Sequence, residues 1–271
     1  VEKKPFYHLL PGADALSFGM LGCNFHCEFC QNWVTSQVLR DPEAIAVPQE
    51  CTPEAIVDWG VRQGADIVAS TYNEPLITSE WARDVFALAR EAGMITCTVS
   101  NGFASPQAIE WLAPWIDAMN VDLKCFTDEG YRRLGGRLQP VCDAIRELWE
   151  RGKWVEVITL IVPGFNDGEV ELRALAEFLG SISPDIPWHV TAYHAAYKMA
   201  DGPGGTSMES LRRGLACGHE AGLRYVYAGN VRGLDRFRHE HTYCHSCRRL
   251  LIERRGYQVV RNEVRGGSCP G

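Results

Sequence analysis

Residues 94–124 read MITCTVSNGFASPQAIEWLAPWIDAMNVDLK. The runs 94–100 and 118–124 are short and largely apolar, which is typical of buried strands. Between them, Ser105 precedes Pro106 and marks a helix start, because serine caps the first turn and proline costs nothing at the first helical position. A strand, a helix and a second strand in this order predict a βαβ unit with parallel strands.

The same alternation of short strands and helices extends over most of the chain. The candidate strands are 15–21, 65–71, 94–100, 118–124, 154–162, 188–193 and 224–227. About six βα units are fewer than the eight of a closed barrel. We therefore predict an α/β fold, a partial (β/α)6 barrel over 15–229, preceded by a leader segment at 1–14 and followed by an extension at 230–271. Ligands of such folds bind at the carboxyl ends of the strands.

The composition is that of a globular protein with a hydrophobic core. Of 271 residues, 46% are hydrophobic and 23% are charged, which excludes disorder. No apolar run approaches the roughly 18 residues of a membrane span. The net charge of −7 argues against nucleic acid as a partner. The extension is instead basic, because the stretch from Arg232 to Arg265 contains nine arginines and only four acidic residues.

The chain has eleven cysteines, an odd number that does not fit a pure disulfide framework. Two tight clusters have the spacing of metal ligands, so we expect reduced thiols and a cytoplasmic protein. The chain starts at Val1 without an initiator methionine or a signal peptide, so we expect a trimmed fragment. The isolated cysteines are interpreted as packing residues: Cys51, Cys97, Cys125, Cys142 and Cys217.

Residues 22–30, GCNFHCEFC, follow the first predicted strand and hold three cysteines in a C-x3-C-x2-C pattern. A [4Fe-4S] cluster that only transfers electrons takes four cysteines, so three on one loop leave one iron free for another ligand. The alternative is a zinc loop whose fourth ligand lies elsewhere in the chain.

This loop resembles the C-x3-C-x-φ-C signature of the radical S-adenosylmethionine (SAM) superfamily, with Phe29 as φ. The resemblance implies a partial barrel of that type, in which Cys23, Cys27 and Cys30 hold a [4Fe-4S] cluster. It also implies that SAM chelates the open iron and that Phe29 lies near the adenine. Residues 27–37 (CEFCQNWVTSQ) and the TYNEP segment at 71–75 are similar to the pyruvate formate-lyase-activating-enzyme-like branch, and more closely to the AmmeMemoRadiSam-system radical SAM proteins.

Two turns match SAM-binding positions of that family. Asn73 and Glu74 stand where the family has a Gly-Gly-Glu-Pro-like turn that binds the SAM amino group, and a carboxylate suits an ammonium. Ser100 and Asn101 stand where the activating enzymes have further SAM contacts, although Val99 replaces their aspartate. The alternative for both segments is ordinary turn chemistry.

Three further residues are candidates for catalysis. Asp122 and Lys124 resemble an Asp-x-Lys motif of the activating enzymes and share one face of an apolar strand, where unpaired charges are costly. His194 follows the sixth predicted strand and matches a histidine close to SAM; Asp122 and His194 are also predicted to contact SAM. The alternatives are a structural ion pair and a structural histidine.

The extension contains Cys244 and Cys247 in a C-x2-C pair, and Cys269 about 21 residues later. This spacing is close to that of a structural zinc ribbon with one ligand cut off, so zinc is a possible second metal. The alternative is a degraded ribbon without metal.

Together these features predict a radical SAM enzyme resembling the activating enzymes, in which an electron donor such as flavodoxin or ferredoxin reduces the cluster. The radical would take hydrogen from a protein, as in glycyl radical enzyme activation, or from a small molecule. Two rival functions remain: an Fe-S or zinc-binding nucleic-acid-associated module, suggested by the basic extension, and a simple electron carrier.

Overall fold

A computed structural model describes residues 1–231 and 239–271. Its main sheet has seven parallel strands in the order β1 to β7. These strands are β1 Ala15–Phe18, β2 Ile67–Ser70, β3 Ile95–Ser100, β4 Ala118–Asp122, β5 Trp154–Ile161, β6 Trp188–Ala192 and β7 Val226–Gly229. The predicted open α/β barrel is confirmed, and the observed strands are mostly shorter than the apolar runs that predicted them.

Helices connect the strands and cover one face of the sheet. They are α1 Trp33–Ser36, α2 Pro53–Gln63, α3 Ser79–Glu91, α4 Pro106–Leu112, α5 Asp128–Leu134, α6 Leu138–Glu150, α7 Glu169–Ile182 and α8 Met208–Glu220. Ser105 caps α4 as predicted, since its side chain accepts a hydrogen bond from the Ala108 amide. Val68 of β2 and Met119 of β4 are buried in the core between the sheet and the helices.

The first fourteen residues cover the opposite face of the sheet, inside the open barrel. Ile67 and Ala69 alternate with Val68 along β2, and they pack with the fully buried Phe6 in a separate core. The side-chain amide of Asn120 on β4 donates to the Pro5 carbonyl at 2.7 Å. The segment predicted as a leader therefore forms a floor inside the barrel, which we call the leader floor (residues 1–14).

The extension contains a three-stranded antiparallel sheet of β8 Thr242–Tyr243, β9 Leu250–Arg255 and β10 Gln258–Asn262. Arg254 is fully buried and joins this sheet to the leader floor. Its guanidinium donates to the Tyr7 carbonyl at 2.6 Å and lies 4.1 Å from the centre of the Tyr7 ring. Three arginines of the basic stretch lie outside the described residues: Arg232, Arg236 and Arg238.

All eleven cysteines lie within the described residues, and their thiols are free. Cys97, Cys125, Cys142 and Cys217 are buried as predicted. Cys51 is exposed, so its interpretation as a packing residue is wrong; it lies in the loop just before α2 rather than on a helix or strand. Within 1–231 and 239–271, no helix combines the length and apolar character needed to cross a bilayer.

Candidate active site

A cavity of about 550 Å³ lies at the carboxyl ends of β2, β3 and β4 and extends down to the leader floor. This volume falls in the range of small-molecule sites. Every predicted site residue except His194 lines it: Cys23, Cys27, Phe29, Cys30, Asn73, Glu74, Ser100, Asn101, Asp122 and Lys124. The fold thus brings together residues from four separate segments of the sequence.

The cysteine loop is held in place by the buried Phe25. Its carbonyl accepts hydrogen bonds from the side chains of Gln37 and Arg40, at 3.2 and 3.1 Å. The Phe25 amide donates to the Cys23 sulfur at 3.3 Å, and the Ser36 hydroxyl lies 3.1 Å from the Cys30 sulfur. Hydrogen bonds to ligating sulfurs orient them and tune the potential of a cluster.

The sulfurs of the loop are spaced more widely than the ligands of a single zinc ion. Zinc bonds sulfur at about 2.3 Å, which brings its thiolates within about 4 Å of one another. In the part of the chain that the structure describes, Cys23, Cys27 and Cys30 are not gathered within 4.8 Å, whereas three cysteines of the extension are. Burial raises the pKa of Cys23 to about 11 and of Cys27 to about 12, so a bound metal must displace their protons.

Glu74 links the second and third strands at the edge of the cavity. Its buried carboxylate accepts hydrogen bonds from the Ser100 hydroxyl at 2.6 Å and from the amides of Asn101 and Leu76 at 2.8 and 2.9 Å. Burial raises the pKa of Glu74 to about 6 despite these three donors. The Asn73 side chain accepts from the Met20 amide at 2.9 Å and fixes the loop after β1.

Asn101 connects this carboxylate to the cysteine loop. Its side-chain amide donates to Asn24 Oδ1 at 2.6 Å and lies 3.8 Å from the Cys23 sulfur. The turn requires Gly102, because its φ is +69° and an added Cβ would lie 2.7 Å from a methyl of Val121. The Asn-Gly sequence after β3 therefore serves both turn chemistry and the site.

Asp122 and Lys124 form an ion pair at the end of β4. Lys124 Nζ lies 2.8 Å from Asp122 Oδ2, and the two side chains remain 19% and 36% exposed. The strand ends at Asp122, and the Lys124 amide donates to the Tyr131 hydroxyl at 3.1 Å. Since both members line the cavity, the pair is accessible to a ligand and is not sealed in the core.

His194 is half-buried and is not among the described residues that line the cavity. His189, which lies within β6, does line the cavity. His189 Nε2 lies 2.7 Å from the buried carboxylate of Glu156 on β5. The signal that could have found this pair is Glu156 itself, since a charge inside the apolar run WVEVITLI requires a partner.

The family model described as Radical SAM superfamily matches residues 19–176, which include the cysteine loop and strands β2 to β5. The chain belongs to the radical SAM superfamily. Membership of this family implies a [4Fe-4S] cluster and SAM as cofactors, which agrees with the three cysteines that line the cavity.

Relatives place this radical SAM protein in the pyruvate formate-lyase-activating-enzyme-like branch. It is 25% identical over 194 residues to the pyruvate formate-lyase-activating enzyme of Staphylococcus aureus, covering 68% of this chain and 76% of that enzyme. It is 37% identical over 255 residues to an uncharacterized protein of Methanocaldococcus jannaschii, covering 94% of this chain and 74% of that protein.

A solved structure supports the fold assignment. Streptococcus suis SuiB, bound to its precursor peptide SuiA, superposes with a TM-score of 0.62 at 15% identity, over 87% of this chain and 52% of SuiB. At this identity the likeness shows the fold alone. The closer resemblance to the AmmeMemoRadiSam-system proteins stays a prediction.

Proposed function

We propose that this chain cleaves SAM reductively at a [4Fe-4S] cluster held by Cys23, Cys27 and Cys30. The observation that carries the proposal is that these three cysteines line one cavity with Glu74 and Asn101. A cluster held there would supply the electron for reductive cleavage of a carbon–sulfur bond of SAM, which would give methionine and a 5′-deoxyadenosyl radical able to take hydrogen from a substrate. The electron donor we propose is a flavodoxin or ferredoxin in the cytoplasm.

The residues around the cavity have distinct tasks in this proposal. Phe29 is only 6% exposed and gives the adenine an apolar contact. Glu74 holds Ser100 and Asn101 in fixed positions through its hydrogen bonds, so their remaining polar groups are preorganised toward SAM. The leader floor closes the barrel below the cavity and limits the access of water.

The first test is spectroscopic. Because the amino and carboxylate groups of SAM should occupy the open iron, we expect SAM to change the electron paramagnetic resonance (EPR) spectrum of the reduced cluster. Dithionite should then release 5′-deoxyadenosine, measured by liquid chromatography. An unchanged spectrum at saturating SAM, with no nucleoside released, would support the simple electron carrier instead.

Asp122 and Lys124 are proposed to act at the substrate side of the cavity. We expect Lys124→Met to keep its cluster and its SAM-induced spectral change, but to lose substrate hydrogen abstraction by more than about 100-fold, since charged active-site groups stabilise transition states by several kcal/mol. The measurement is deuterium in 5′-deoxyadenosine after incubation with fractionated extract of cells grown in D2O. Lys198→Met, at a side chain that is 60% exposed, is the matched control.

A purely structural ion pair would give a different result. Lys124→Met would then lower the melting temperature, while the deuterium incorporated per folded molecule would equal that of the control. The labelled fraction of the extract also identifies the hydrogen donor as a protein or a small molecule.

The contacts of the extension's arginines give the rival nucleic-acid function less support than their number alone suggested. Its arginines are largely engaged within the described residues: Arg254 is buried against Tyr7, and Arg249 pairs with Glu263 at 2.8 Å. Phosphate contacts require exposed and unpaired basic side chains. The basic stretch therefore serves in part to attach the extension to the barrel.

We also propose that the extension binds zinc. Cys244, Cys247 and Cys269 place their sulfurs within 4.8 Å of one another, as three ligands of a tetrahedral site do. Cys244 is buried with Leu251 and Ile252 in the small core of this sheet, and a metal would join the turn between β8 and β9 to the segment that follows β10.

We expect purified protein to contain one zinc per chain by elemental analysis, in addition to cluster iron. The double change Cys244→Ser and Cys247→Ser should remove the zinc and leave the iron content unaltered, because the loop thiols are separate. Protein prepared with zinc in excess that holds none would contradict the proposal and support the metal-free ribbon.

A further inference from the structure

Lys4 is a buried cation on the leader floor. Its residue is only 6% exposed, yet it lines the cavity. Its ammonium lies 3.7 Å from the centre of the Tyr72 ring, and no carboxylate of the described residues lies within 4.0 Å of it. Burying an ammonium without an anion is costly, and contact with an aromatic face offsets only part of that cost.

The carboxylates that share this end of the cavity are engaged elsewhere. Glu2 accepts a hydrogen bond from the Gly12 amide at 3.1 Å and lies 3.5 Å from Arg254 Nε. Glu240 accepts from the Gly256 amide at 3.2 Å. Neither Glu2 nor Glu240 therefore forms an ion pair with the Lys4 ammonium on the cavity wall.

Tyr72, the partner of Lys4, has a strained backbone. Its φ is +75°, in the left-handed region that a bulky residue rarely adopts. The backbone at Gly19 packs directly against this turn. A Cβ on Gly19 would lie 2.5 Å from the Thr71 carbonyl oxygen and 3.2 Å from the Tyr72 Cβ. Strain of this kind persists at ligand sites, where it fixes a side chain in a required position.

We propose that Lys4 binds a carboxylate or phosphate group of the molecule that donates hydrogen. The inference rests on the proposed function, and it narrows the substrate to an anionic molecule or an acidic peptide segment. Since the carboxylate of SAM is expected on the open iron, Lys4 remains for a second ligand. The buried ammonium and the fixed Tyr72 ring would hold that group and orient the rest of the substrate toward Asp122 and Lys124.

The test uses cluster-loaded, oxidised full-length protein and two simple probes, 13C-labelled acetate and inorganic phosphate, followed by NMR line broadening. We expect saturable binding of at least one probe to the unaltered protein and to Lys198→Met, which loses the same charge at a side chain that is 60% exposed and does not line the cavity. Lys4→Met should bind that probe at least tenfold more weakly. The probe that binds more tightly distinguishes a carboxylate from a phosphate substrate.

Three results would overturn the inference. The first is that neither probe binds the unaltered protein. The second is that Lys4→Met lowers only the melting temperature while probe binding stays the same, since Lys4 would then be structural. The third is that Lys4→Met weakens the SAM-induced EPR change tenfold and leaves probe binding intact, because the anion would then be SAM itself. Failure of the proposed function would appear separately, as no EPR change in the unaltered protein.

Discussion

Replacement of Cys23, Cys27 and Cys30 by alanine is expected to remove the [4Fe-4S] cluster and all SAM cleavage above background. The three thiols are the proposed protein ligands of the cluster, and without it no electron reaches SAM. Iron and sulfide analysis, visible absorbance and 5′-deoxyadenosine release measure the effect. A circular dichroism spectrum equal to that of the unaltered protein would show that the variant is folded.

Single changes at Cys51 and Cys142 are the controls, because one thiol is exposed and the other is buried away from the cavity. Both should keep a full complement of iron. A cluster that survives in the triple variant would disprove the ligand assignment, and loss of iron in Cys142→Ala would show that core packing alone governs cluster retention.

Glu156→Ala is expected to lower the free energy of unfolding by about 3–5 kcal/mol, the cost of breaking a buried charge network. The Glu156 carboxylate is fully buried and accepts hydrogen bonds from the amides of Tyr7 and His8, at 2.9 and 2.8 Å. It also accepts from Trp154 Nε1 at 3.0 Å and lies 2.7 Å from His189 Nε2. The substitution leaves these groups without a partner and frees the leader floor.

Urea unfolding followed by tryptophan fluorescence measures this loss. The control is Glu220→Ala, at a 56% exposed side chain that pairs with Arg173 and should cost no more than about 1 kcal/mol. Equal losses in the two variants would mean that Glu156 contributes no more than a surface pair does.

The same carboxylate predicts a pH dependence of stability. Burial alone would raise the pKa of Glu156, but the hydrogen bond and charge of His189, the charge of His8 and the Tyr7 amide outweigh it and lower the pKa to about 2. An unfolded glutamate titrates near 4.5, so this contribution is complete above that pH and is lost as the pH falls toward 2. Glu156→Gln should flatten the stability profile over this interval.

Much of the fold was predictable because its determinants are local. Apolar runs, Ser105 before Pro106 and the βα alternation each act over a few residues, and all seven predicted strands are present. The candidate site was predictable for a related reason: the carboxyl ends of parallel strands meet at one edge, so Glu74 and Asn101 are neighbours in space.

The leader floor was not predictable in this way. Residues 1–14 form no helix or strand of their own, so no periodicity reveals where they lie. Their position depends on Glu156 and Arg254, which are far away in sequence. His194 was assigned by position after a strand, but the side chain that reaches the cavity comes from His189 within the strand.

The contact between Arg254 and Tyr7 spans 247 positions of the sequence and has a consequence for synthesis on the ribosome. Residues 1–14 are made before the strands that they contact, and they cannot reach their final place until β5, β6 and then β9 have emerged. Bringing such distant segments together is entropically costly and slow. The floor under the cavity is therefore completed only after Arg254 has emerged, long after the cysteine loop and the strands around it have been made.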